Sequence, residues 1–279
     1  MSRHQEPAPP PELDEREQSF ISHLKELRDR LIRCVLCLLI VILVLMPIAN
    51  SLYEWVAAPM IAQMSEVGAQ MIATEVASPF LAPFKFACFM AVMISVPYLF
   101  YQLWAFVSPG LYRHERHLAL PLLASTVGLF YLGAAFAYFA VFPVIFGFLT
   151  TAAPEGVTVM TDISKYLDFV IVMFFAFGLA FEIPVATFML VKTGVATRQD
   201  LVAKRPYVVV GVFVVAAILT PPDPVSQTLM AVPMCALWEI GLLFCKWFIE
   251  EEEEEDEEDE IQAAALAALP ASESSAEKA

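Results

Sequence analysis

Long apolar runs dominate residues 31–249, and they restrict this chain more than any other feature. The run Leu31–Leu52 carries one charge, Arg33, and the run Leu118–Leu149 carries none. A water-soluble domain has no place to bury several such runs side by side. A bilayer does, on one condition. Hydrocarbon offers the backbone no hydrogen bonds, so each run must satisfy its own N–H and C=O groups as a helix. Composition agrees. With 59% hydrophobic and 17% charged residues and a mean hydropathy of +0.66, too few charges remain to coat a soluble surface. The net charge of -15 comes largely from one unbroken acidic run, Glu250 to Glu260. No basic cluster is dense enough for nucleic-acid binding.

The spacing predicts an all-α, polytopic membrane protein with six transmembrane helices. The spans fall near Leu31–Leu52, Pro79–Val107, Leu118–Leu149, Tyr166–Val191, Pro206–Leu219 and Val225–Ile249. Pro83, Pro97 and Pro143 are expected to kink or interrupt the second and third. The fifth is too short to cross a standard bilayer, which needs roughly 20 residues. Before the first span, Phe20, Leu24, Leu27 and Leu31 form one helical stripe. His23, Glu26, Arg30 and Arg33 line another face, giving an amphipathic helix at the membrane surface. Residues 1–18 and 250–279 are expected to be disordered tails around a membrane domain at 19–249. The first is rich in proline with no apolar core, so no cleavable signal peptide is expected. The second repels itself.

Basic residues orient the spans. Lys25, Arg28, Arg30 and Arg33 precede the first, Arg113 and Arg116 follow the second, and Lys192, Arg198, Lys204 and Arg205 follow the fourth. The opposite side has only Lys165. Both termini are therefore expected in the cytoplasm, with the Ser51–Ser78 loop outside.

Several residues are expensive where they stand. Glu182 lies near the middle of the fourth span, where a charge costs roughly 3 kcal/mol on insertion scales. It is either a neutral, hydrogen-bonded acid packed between helices or a polar site facing a wet cavity. Lys85, near the outer end of the second span, is expected to snorkel outward. Glu115 sits in "SPGLYRHERH" among Arg113, Arg116 and two histidines. It either neutralises a neighbouring arginine or receives a cation from a partner. Glu26 is a second acid on the same side. The five cysteines lie in or beside apolar runs, and neither Cys34-x-x-Cys37 nor His114-Glu-Arg-His117 completes a metal site. No catalytic constellation appears, so no enzyme, cofactor or metal is expected.

Taken together, "HLKELRDRL", "ASPF", "QLWAFVSPGLYRHER", "FAFGLAFEIP", "KRPYVVVGVFVV" and "LTPPDPVSQTLMAVPMCALWEIG" resemble the TatC family, from about Phe20 to Phe248. TatC proteins are the multi-spanning receptor subunits of the twin-arginine protein translocase. The resemblance implies a cup-shaped arrangement of the six helices in the bacterial inner membrane. It implies binding of paired-arginine signal peptides and export of folded cargo by the proton motive force. It implies single-span partners, TatB and TatA, lipid contact and several copies in one complex. By position, Glu26, Leu27, Arg28, Phe106 and Glu115 match the signal-peptide site. Glu182 matches the intramembrane polar position, Pro59 a sensitive outer-loop proline, and Thr220, Asp223 and Gln227 the region where partner helices dock. The alternative from the residues alone is a proton-coupled secondary transporter using Glu182. It would leave Glu26 and Glu115 unexplained.

Overall fold

The computed structural model describes residues 11–54, 70–111, 116–151, 160–220 and 223–267. Helix α1, Pro11–Leu45, opens on a proline. That residue suits a first turn because its missing N–H would have no partner there. The amphipathic stripe and the first apolar run are one continuous helix. A single 3-10 turn, Met46–Ile48, follows at Pro47, and helix resumes over 49–54. Helix α2, Ser78–Leu111, continues unbroken through Pro83 and Pro97. Helix α3 is Arg116–Phe136 and α4 is Phe142–Thr151. The π-helical turn Ala137–Val141 joins them. Pro143 cannot donate to the carbonyl four residues back, and the wider turn just upstream accommodates that loss. Helix α5, Ile163–Ala180, and α6, Ile183–Lys192, are separated by a turn at Phe181 and Glu182. Helix α7, Arg198–Ala203, starts on a Thr197–Asp200 capping box. Helix α8 is Arg205–Leu219 and α9 is Pro224–Ala267.

Among the described residues, five helical stretches are long and apolar enough to cross a membrane: Ile21–Glu54, Ser78–Phe106, Leu120–Phe148, Ile163–Lys192 and Pro224–Trp247. The chain is a multi-pass membrane protein. The 15 residues of α8 reach about 22 Å at 1.5 Å per residue, short of a hydrocarbon core of about 30 Å. Helix covers residues 11–18 and 250–267, beyond the boundaries drawn for the tails from composition. Once a helix is nucleated, each added residue needs only one more bond, and Glu and Ala are good helix formers.

The chain divides into two compact units. The first holds residues 1–128 and 147–171. Here α1 packs on α2 where Leu45 and Ala49 meet Ala87 and Ala91, flanked by Val41, Ile42, Leu52 and Met90. Small side chains let the two backbones approach closely. Two three-residue strands, β1 (Gln70–Ile72) and β2 (Met160–Asp162), pair in parallel, with Ile72 opposite Asp162. They are an addition to an otherwise helical chain. Asp162 accepts from the Thr74 N–H at 2.9 Å and from its hydroxyl at 2.5 Å, while its other oxygen takes the Ser164 N–H at 2.9 Å. Those donors, the Thr74 hydroxyl first, hold the Asp162 carboxyl down at about 2. Nearby, Lys85 does not simply snorkel. Its ammonium bonds both oxygens of Asp168 on α5, at 2.9 and 3.1 Å. An opposite charge within reach neutralises it more completely than a long stem would.

The second unit holds residues 129–146 and 172–279. Phe136 stacks near Phe177 and Phe181, with centroids 5.5 and 5.6 Å apart. Helix α6 lies tightly on α9, and Gly241 is the reason they can meet. A Cβ there would strike the Thr187 hydroxyl and come within 3.0 Å of the Pro184 Cα. Thr187 is fully buried and cannot swing aside, because its hydroxyl is fixed between the Ile183 and Pro184 carbonyls at 2.9 Å. Gly241→Ala is expected to destabilise the protein by roughly 1–3 kcal/mol, the usual cost of overpacking. Gly211→Ala on α8, where nothing lies within 4 Å of the new methyl, is the control and should be neutral or slightly stabilising. Thermal unfolding of both variants in detergent checks the contrast.

Candidate functional site

The charged end of α1 is held against the far end of α2. At 3.6 residues per turn, spacings of three and four put His23, Glu26 and Arg30 on one face of α1. The His23 ring stacks on Phe106 with centroids 4.3 Å apart and planes at 19°. One turn along, Arg30 donates Nε and Nη2 to the same oxygen of Glu26, at 3.0 and 2.6 Å. Its third nitrogen, Nη1, reaches the buried Gln102 of α2 at 3.3 Å. The pair is sheltered more than an ordinary surface pair, with Arg30 19% and Glu26 37% exposed in their side chains. Lys25, Asp29 and Arg33 complete a shallow groove around it with Ser22. Leu27 is exposed, and Arg28 turns outward to Asp29 at 2.7 Å. Beyond Gln102, the Trp104 indole N–H donates to the buried Thr126 hydroxyl of α3 at 3.2 Å. That bond ties α2 to α3 on either side of the connection that carries Glu115.

The chemistry of this arrangement is cation recognition by a carboxylate. Glu26 binds a guanidinium through two donors in a half-sheltered setting. There, charge-assisted contacts are stronger than neutral ones, and the flat fork of arginine suits them best.

Glu182 occupies the turn between α5 and α6, in the second unit. Pro184 has no N–H to offer the carbonyl of Ala180, so the helix breaks there and restarts. The Glu182 backbone N–H bonds back only to Leu179, at 3.1 Å. One of its carboxyl oxygens is buried without a hydrogen-bond partner among the described residues. A polar atom left so inside a span is costly.

Thr220, Asp223 and Gln227 flank the junction of α8 and α9. The Thr220 hydroxyl donates to the Ala216 carbonyl at 2.8 Å, and the Gln227 amide to the Phe213 carbonyl at 3.1 Å. Both donors are therefore engaged within the chain. Asp223 caps α9 through the Ser226 N–H at 2.7 Å, while its second oxygen is buried without a partner among the described residues. That oxygen is the open acceptor of the group.

Glu115 lies in 112–115 and Pro59 in 55–69, both outside the described residues. Of the positions expected to form a signal-peptide site, Glu26 and Phe106 belong to one contact region, linked through His23, Arg30 and Gln102. Arg30 was legible as the i+4 neighbour of Glu26. The parts played by Gln102 and Trp104 had no local signal, because both depend on helices distant in sequence. The same holds for Arg205, which pairs with Glu239 of α9 at 2.5 Å.

Comparison with known proteins adds the following. Residues 22–233 match the family described as TatC, Sec-independent protein translocase protein. The chain is 53% identical over 225 residues to the Sec-independent protein translocase protein TatC of Azotobacter chroococcum mcd 1, covering 81% of this chain and 88% of that one. It is 50% identical over 232 residues to the protein of the same name from Escherichia coli strain K12, covering 83% and 90%. A crystal structure described as the twin arginine translocase receptor TatC superposes with a TM-score of 0.72 at 36% identity, covering 80% of this chain and 98% of the other.

The aromatic stack carries a prediction of its own. Phe106→Ala removes the surface on which His23 rests, a contact of roughly 0.5–1.5 kcal/mol beyond its buried area. Backbone hydrogen exchange over residues 21–30 should then speed up by about two- to tenfold, while exchange in α6 should be unchanged.

Proposed function

This chain belongs to the TatC family of Sec-independent protein translocase proteins, and on that premise we propose that it receives paired-arginine signal peptides through Glu26 and Glu115. The observation that supports this most directly is the forked contact between Arg30 and Glu26. The first acid already holds a guanidinium in a sheltered groove beside Phe106, and a cargo arginine would repeat the same contact. Glu115 would take the second arginine from the connection after α2. Leu27 and Arg28 flank the first acid. The exposed leucine offers apolar surface to the signal peptide, and Arg28 sets the charge at the rim.

Both termini lie in the cytoplasm and the membrane is the bacterial inner membrane. Folded cargo crosses under the proton motive force, with TatB and TatA as single-span partners and with several copies of the chain in one complex. A partner helix would bond the open Asp223 oxygen near Thr220 and Gln227, since the donors of the latter two are already engaged. Glu182 serves as a polar position inside the translocase, and Pro59 shapes the first outer loop. The proton-coupled transporter has only Glu182 in its favour and leaves both signal-peptide acids without a role.

The deciding measurement is the affinity of detergent-solubilised protein for a synthetic paired-arginine signal peptide. A charge-assisted contact at such a site contributes roughly 1.5–3 kcal/mol. Glu26→Gln and Glu115→Gln should therefore each weaken binding by about one to two decades. Equal affinity for wild type and both folded variants would refute the assignment. Orientation is checked separately. A cysteine at position 70 should react with an impermeant reagent in intact cells, and one at position 198 only after permeabilisation.

A further inference from the structure

We infer that Arg30 is a built-in stand-in for the cargo arginine and that it sets the affinity of the α1 groove. This rests on the reading of Glu26 as a signal-peptide acid. In the resting protein Glu26 is not an empty receptor. Arg30 contributes two of its N–H groups to one Glu26 oxygen. Among the described residues, the groove and its rim then hold four cations, Lys25, Arg28, Arg30 and Arg33, against two anions, Glu26 and Asp29. Asp29 is itself engaged by Arg28, at 2.7 and 2.9 Å. A cationic peptide meets a surface of its own sign at this groove, and the Glu26 charge it needs there is already neutralised.

Binding therefore requires exchange. The guanidinium of Arg30 must leave Glu26 as the cargo guanidinium arrives. The structure provides for the displaced group. Nη1 of Arg30 is already anchored on the side-chain oxygen of Gln102, in the face of α2. Arg30 can keep that bond while its other two nitrogens release Glu26. The helix backbone need not move, because the swing involves one long side chain at its free end. The stand-in has two consequences. Glu26 never faces the groove as an uncompensated half-buried charge, which would be costly. The cargo also pays the competition as a fixed reduction in affinity, so it is held less tightly and leaves faster.

The test is a titration of the full-length protein in detergent with the synthetic paired-arginine signal peptide. Arg30→Gln should bind about three- to tenfold more tightly than wild type, with the gain in the dissociation rate. Removing any positive charge favours a cationic ligand somewhat, so Arg33→Gln is the control. It lines the same groove without an ion pair to Glu26 and should gain clearly less. In the Glu26→Gln background the gain from Arg30→Gln should vanish, because the competition runs through that carboxylate. If Arg30→Gln does not fold, Arg30→Lys keeps the charge without the fork and should show a smaller gain of the same sign. Weaker or unchanged binding by the folded variants overturns the inference, as does an equal gain from Arg33→Gln. If Glu26→Gln alone leaves binding intact, the receptor reading fails first. If Glu26→Gln weakens binding and Arg30→Gln or Arg30→Lys does not strengthen it, only the stand-in fails.

Discussion

Hydrocarbon supplies a peptide with no hydrogen bonds, and the whole chain is arranged around that absence. Its spans are helices because a helix satisfies its own backbone. The departures from regular helix fall where a proline withdraws a donor. Pro47 sits in the 3-10 turn after α1, Pro143 just past the π turn after α3, and Pro184 just past the break between α5 and α6. The last of these breaks exposes a functional group as well as backbone. It places Glu182 at the turn, with one oxygen unpartnered among the described residues. Regular helix on both sides holds that carboxyl in a span where a random chain would never leave it.

Charge follows the same logic as backbone. Lys85 meets Asp168, Arg205 meets Glu239 and Arg30 meets Glu26. The first two pairs join different helices and act as ties between them. The third lies within one helix and adds little to packing. Its placement, beside the His23–Phe106 stack and against Gln102, turns an ordinary i,i+4 pair into a carboxylate held in a groove. Stability alone does not call for such an arrangement, since an exposed pair of this spacing contributes only about 0.3–0.5 kcal/mol.

The two helix contacts on which the units depend use small residues for one purpose. Ala87 and Ala91 let α1 lie close on α2, and Gly241 lets α9 lie close on α6. In lipid there is no hydrophobic drive to bring helices together, so close approach and its dispersion energy must replace it. The alanines read as ordinary helix formers along the chain, and nothing local marks Gly241 as a contact. Each becomes meaningful only beside the helix it meets.

What the sequence determined by itself was whatever depends on neighbours along the chain. Apolar length set the helices and the shortness of α8. Pro143 marked the interruption of the third span, whereas Pro83 and Pro97 left α2 unbroken, and spacing by three and four set the shared face of His23, Glu26 and Arg30. The paired motifs from Phe20 to Phe248 also pointed to the right family. Tertiary structure alone decided which distant groups answer each other. Lys85 read as a snorkelling side chain because Asp168, its partner, lies 83 residues away. Gln102 meets Arg30 only because α1 lies against α2, the two residues standing 72 apart in the chain. The Gln227 amide meets the Phe213 carbonyl of α8, 14 residues back in the chain. The physical reason is common to all of these. Helical periodicity is local and visible in order of residues, whereas an ion pair or a hydrogen bond between helices depends on how two rigid rods cross, and that is written in no single stretch of either.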